Sequence, residues 1–120
     1  MKIAITASGN ALDCEVDPRF GRAGFFIVYD TDNDSYTVID NNQNLNAPQG
    51  AGVQAGQIIV NSGAAALLTG NCGPKAYSLL STAGIKVYLG AKGTVEDTIA
   101  AFKAGRLSPA DSPNTQGHWL

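Results

Sequence analysis

The sequence predicts a layered α/β domain on a mixed five-stranded sheet, and three observations lead there. Two aromatic and β-branched runs, residues 25–29 (FFIVY) and 36–39 (YTVI), flank a polar turn at 30–35, the pattern of an antiparallel hairpin. From residue 50 onward, helical periods alternate with short apolar runs in the order α β α β α. The 120 residues suit one domain, and 44% hydrophobic residues can bury a core.

Each element has a local reason. Residues 3–6 (IAIT) form the first strand, and Ser8, Gly9 and Asn10 end it. A long loop then runs to the hairpin strands. After a polar stretch at 40–50, a helix opens at 50–52 and runs to about Asn61, with Val53, Ala55, Ile58 and Ile59 as its apolar residues. Gly63 suits a left-handed helix cap. Residues 65–69 (AALLT) are continuously apolar, as a strand buried on both faces is. Pro74 fits the first position of a second helix, where its missing N–H costs nothing. Ala76, Leu79, Leu80 and Ala83 give that helix its apolar face, and Gly84 closes it. Residues 85–89 (IKVYL) form the fifth strand. Thr94, followed by Glu96 and Asp97, caps a last helix whose buried stripe is Val95, Ile99 and Phe102 and which ends at Gly105. A single α/β domain is thus expected over 1–106. Residues 107–120 read as an extended tail, long enough at roughly 3.3 Å per residue to fold back over the domain.

Right-handed crossovers limit how these pieces assemble. If the first strand pairs with both the second and the fourth, the sheet order is 3-2-1-4-5, with only strand two antiparallel. The first two helices then share one face and the last covers the other, giving three layers. Strands one, three, four and five end at one edge, and chain direction reverses there between strands one and four. Open α/β sheets bind ligands at such a switch point.

Composition narrows the function. Charged residues are 15%, against a usual ~25%, while 14 glycines ask for tight turns or close backbone approaches. A net charge of −2 lacks the basic excess of a general nucleic-acid binder. No apolar run approaches the ~18 residues of a membrane span, and the first residues enter a strand with no leader pattern. A cytoplasmic location is the expectation, and Cys14 and Cys72 are then reduced thiols.

The predicted edge collects chemistry suited to an anion. Arg19 and Arg22 are two cations in one loop of a chain with 8 Lys+Arg. Three helix starts offer unpaired N–H groups and positive dipole ends. Gly50, Ala51, Gly52, Asn71, Cys72, Gly73 and Pro74 form the turns between strand ends and helices. Cys72 stands just before a helix start, a position that tends to lower a thiol pKa. Cys72, Cys14 and the tail residue His118 are the candidate metal ligands. Each feature also has a plain structural reading. The arginines could pair with Asp13, Glu15 or Asp17; Cys72 could be a small core residue; Cys14 could be incidental; His118 could be solvated; and Phe20 could anchor its loop.

With those segments in view, the chain resembles the dinitrogenase iron–molybdenum cofactor family of nitrogenase accessory factor-like proteins, including the molybdenum–copper "orange protein" branch. The segments that carry the resemblance are DPRFGRAGFFIVYD at 17–30, GAGVQAGQ at 50–57 and LLTGNCGPKA at 67–76. The resemblance implies a ribonuclease H-like topology without ribonuclease activity. It implies a carrier of an anionic metal–sulfide cluster, either molybdenum–copper–sulfide or iron–molybdenum cofactor or its precursor. Arg19, Phe20, Gly21, Arg22, Gly50, Gly52, Asn71, Cys72, Gly73 and Pro74 are the residues it carries over. Some relatives place Cys after the FGR motif, where this chain has Ala23; that weakens a cysteine-ligated iron–sulfur reading and is compatible with an anion held by Arg, amides at 50–53 and 72–75, and packing. Two alternatives stand beside a carrier. One is a regulatory module that docks on an ATPase or redox partner. The other is a metal-dependent phosphotransfer enzyme, disfavoured because residues 3–6 offer no carboxylate.

Overall fold

The structure is a computed structural model that describes residues 1–44 and 50–114. Its elements follow the order β1 (Lys2–Ala7), β2 (Phe25–Asp30), β3 (Tyr36–Asp40), a 3-10 turn (Asn42–Asn44), α1 (Ala51–Ser62), β4 (Ala66–Leu68), α2 (Pro74–Thr82), β5 (Lys86–Tyr88) and α3 (Val95–Lys103). The five-stranded sheet has the order β3-β2-β1-β4-β5. β2 is antiparallel to both its neighbours, while β1, β4 and β5 pair in parallel. The three-layer, mixed-sheet prediction holds in order and direction.

Alternation along the central strands builds a core on each face. Ala4, Phe26, Val28 and Leu67 face α1 and α2, where they meet Ala55, Ile59, Ala76 and Leu80. Ile3, Ile5, Ile27, Tyr29, Ala66 and Leu68 face α3, where they meet Val95 and Ile99. With both faces covered, no position on β1 from Ile3 to Ala7 can be polar without a partner. The one polar residue there, Thr6, donates its hydroxyl to the Asp17 carbonyl at 2.7 Å and lies 2.9 Å from Thr69 Oγ1.

The helices differ from expectation in phase. Val53 is exposed rather than apolar-facing, and Ala83 lies past the end of α2 on the surface. α1 instead presents Ala51, Ala55, Gly56 and Ile59. Gly56 lets α2 come close, since a Cβ there would sit 3.1 Å from Leu79 Cδ2. α3 begins as predicted, with Thr94 accepting the Asp97 N–H at 3.0 Å. Beyond α3 the chain turns back: Ala110 N–H donates to the Val87 carbonyl at 2.7 Å and Tyr77 Oη donates to the Ala110 carbonyl at 2.9 Å. No helix among the described residues is long and apolar enough to cross a membrane.

Candidate functional site

Three of the predicted segments meet at one rim. Loop residues 17–24 lie beside the bend at 70–73, with Arg19 paired in parallel to Asn71. Phe20 N–H donates to the Asn71 carbonyl at 3.2 Å, and Asn71 N–H donates to the Pro18 carbonyl at 2.7 Å. Gly70 makes this approach possible, because a Cβ on it would lie 2.8 Å from Pro18 Cα. Gly21 does the same toward α1: a Cβ there would stand 2.8 Å from the Gly52 nitrogen. The excess of glycine is thus spent partly on contacts between backbone segments at the rim.

Phe20 is the anchor of this arrangement. It is fully buried, and its ring lies 5.6 Å from that of Phe26. The turn it holds is also tied from below by two buried asparagines. Asn41 Nδ2 donates to the Ala23 carbonyl at 2.8 Å and the Gly21 carbonyl at 3.3 Å. Asn44 Nδ2 donates to Asn41 Oδ1 at 2.7 Å. Asn44 Oδ1 is buried with no hydrogen-bond partner among the described residues. Nothing in the polar run around 40–50 singles these two residues out in the sequence.

The arginines have local contacts and keep different exposures. Arg19 Nε lies 3.7 Å from Asp17 Oδ1, which also accepts the Arg19 backbone N–H at 3.0 Å. Of the carboxylates weighed as its partner, Asp17 is the one beside it. The Arg19 side chain is nevertheless 44% exposed, so this long contact leaves its head at the rim. Arg22 is half-buried and donates from Nη1 to the Asn44 carbonyl at 3.2 Å.

Helix starts at the rim are not equivalent. α1 is capped by Gly50 at φ 78°, which offers no side chain to its first-turn amides. α2 follows Gly73, again without a side-chain cap, and Pro74 contributes no N–H. α3 is closed: Thr94 caps it, and the Val95 and Glu96 amides each donate, at 2.9 Å, to the carbonyls of Cys14 and Leu12 respectively. The expectation of three open helix starts is therefore corrected to two. An open groove of ≈ 590 Å³ runs from those two starts, lined by Val53, Pro74, Lys75, Ser78, Leu79 and Thr82. Lys75 adds a cation there that sequence reasoning passed over, although it lies inside the 67–76 segment.

Cys72 departs furthest from its prediction. Its residue is fully buried in the core under α1 and α2, and burial pushes the thiol up to about 12. The shift is upward rather than downward despite the helix start, because burial withdraws the water that would stabilise a thiolate. Sγ lies 3.7 Å from the Gly73 carbonyl. The Cys72 amide is also engaged, donating to Asn114 Oδ1 at 2.9 Å. Cys14 is half-buried in the loop that closes α3, packed so near Gly9 that a Cβ there would meet its Sγ at 2.5 Å. His118 lies outside the described residues. Among the described residues, no three His, Cys, Asp or Glu side chains group to hold a metal ion.

Comparison with known proteins agrees with this fold. The orange protein of Desulfovibrio gigas, solved in its apo form, matches with a TM-score of 0.92 and 43% identity, over 95% of this chain and 96% of that one. A Thermotoga protein of the DUF35 family, solved by NMR, matches with a TM-score of 0.83 and 35% identity, over 97% and 98% of the two chains. An uncharacterized protein of Methanocaldococcus jannaschii is 33% identical over 110 residues, 89% of each chain. A family profile described as dinitrogenase iron-molybdenum cofactor matches residues 1–105. The chain belongs to the dinitrogenase iron–molybdenum cofactor family.

Proposed function

We propose that this protein is a non-covalent carrier of an anionic metal–sulfide cluster containing molybdenum, with molybdenum–copper–sulfide as the favoured cargo. The observation that carries the reading is the meeting of the Arg19 loop, the uncapped start of α1 and the Asn71 bend at one rim. Guanidinium groups and unpaired amides suit a guest with several negative sulfides, since charge-assisted hydrogen bonds are the stronger class. The donor set fits such a guest as cargo. It does not fit a thiolate-ligated iron–sulfur centre, because Ala23 replaces a cysteine and the Cys72 thiol is buried and held protonated. Arg19 and Arg22 would neutralise the cluster. Amides at 51–53, at Gly73 and Lys75, and at Cys72 once Asn114 leaves it, would point at its sulfides, and Phe20 would hold the arginine turn in place. The role is binding and delivery rather than turnover.

Reconstitution tests this directly. Apo-protein mixed with tetrathiomolybdate and copper is expected to retain visible colour through desalting. Arg19→Ala and Arg22→Ala are each expected to weaken retention roughly tenfold or more, the scale of one lost hydrogen bond to a charged group. A colourless wild-type eluate overturns the carrier reading, and undiminished colour in both variants removes the arginines from it.

A further inference from the structure

We propose that residues 107–114 are a strap that competes with the cargo for the bend at 70–73. The proposal rests on the carrier reading above and adds its regulation. Asn114 uses its whole amide on the bend. Its Oδ1 accepts the Cys72 N–H at 2.9 Å, and its Nδ2 donates to the Gly70 carbonyl and to Asn71 Oδ1, both at 3.1 Å. Its own backbone N–H donates to the Cys72 carbonyl at 3.3 Å. Upstream, the strap is fixed by the Ala110 N–H on the Val87 carbonyl at 2.7 Å and by Tyr77 Oη on the Ala110 carbonyl at 2.9 Å.

Strap and cargo call on the same backbone donor, the Cys72 amide. The Asn114 oxygen sits where an acceptor on the cargo would be received by the Cys72 amide, and one N–H serves one strong acceptor at a time. Asn71, the residue beside Arg19, is engaged by the same side chain. Cargo that reaches the bend must displace Asn114, and a loosened strap must admit cargo more readily. Linkage makes the two effects equal in size. Release would also free the Val87 carbonyl on the outer edge of β5, so loading would change what that edge presents.

Tyr77→Phe is the deciding variant, because it deletes one strap contact without touching the bend. Apo wild type, Tyr77→Phe and Asn114→Ala are titrated with tetrathiomolybdate plus copper and followed by visible absorption. Hydrogen exchange at the Ala110 and Asn114 amides is read before and after loading. The expected result is tighter binding in both variants, about twofold to fivefold for Tyr77→Phe and about threefold to tenfold for Asn114→Ala, from the net worth of ordinary hydrogen bonds. Loading of the wild type is expected to speed exchange at both amides. Unchanged or weaker binding in Tyr77→Phe, or amides that stay protected on loading, overturns the strap and leaves the carrier reading intact. Failure of all three proteins to retain the probe overturns both. If Asn114→Ala does not fold, Tyr77→Phe and the exchange measurement still decide.

Discussion

Single atoms decide much of the rim. A methyl group added at Gly21 would collide with the backbone of Gly52, and one added at Gly70 would collide with Pro18. Backbone cannot swing aside as a side chain can, so Gly21→Ala and Gly70→Ala are each expected to cost about 1–3 kcal/mol. Chemical denaturation measures this, with an unshifted midpoint as the contrary result. Cys72 gives a second residue-scale test. The native thiol ionises only near 12, while in the unfolded chain it ionises in the ordinary thiol range near 9. Stability from this group is complete below the ordinary range and is lost as pH climbs toward about 12. The difference in stability between wild type and Cys72→Ala is therefore expected to narrow with alkaline pH. A thiol reagent at pH 8 is expected to leave Cys72 unmodified until the protein unfolds. The sequence shows Cys72 before a helix start but not which side of the bend its thiol faces. That face is set by core packing under α1 and α2, which a linear pattern does not contain.

At the scale of elements, strand order, strand direction and the start of each helix were legible, and helix phase was less so. Continuous apolar runs at β1 and β4 demand two covered faces, and right-handed crossovers then leave one arrangement. Val53 misled because it stands two residues from buried Ala51, about 200° around the helix at 3.6 residues per turn, and so falls away from the core, beside the groove to α2. The Asn41–Asn44 pair was invisible because asparagine in a polar loop reads as solvated until its burial is seen. α3 differs from the other helices by its side-chain cap. Thr94→Ala is expected to destabilise the protein by about 1 kcal/mol, visible as a lower thermal midpoint. It should leave cargo retention unchanged, since the start of α3 is closed by the Leu12 and Cys14 carbonyls. A loss of retention in this variant would return α3 to the site.

Across the whole molecule, the hairpin and α3 are joined far from the rim. Lys103 Nζ lies 2.8 Å from Asp34 Oδ1 and 5.5 Å from the Tyr29 ring centroid, and the Tyr29 hydroxyl also donates to Asp34. The hydrogen bond from Lys103, with that from Tyr29, holds the Asp34 carboxyl below its ordinary value. A depressed carboxylate stabilises the fold above its unfolded pKa, and that contribution vanishes as pH falls through the folded value. Asp34→Asn is accordingly expected to reduce stability at neutral pH and to match wild type in strong acid. Added salt should shrink the neutral-pH difference, because the pair is exposed.

β1 occupies the middle of the sheet, and its neighbours come from distant parts of the chain. Ile3 faces Tyr29 on one side and Ala66 on the other, so β1, made before its neighbours, stays half-paired until β4 has emerged. Such high contact order slows folding and leaves an open hydrophobic edge on the nascent chain in the interval. The arginine loop hangs from that same strand, and its binding geometry is completed only by the late arrival of the Asn71 bend. The proposed rim is thus assembled only once the bend at 70–73 has joined β1, and no fragment ending before β4 should capture a thiometalate.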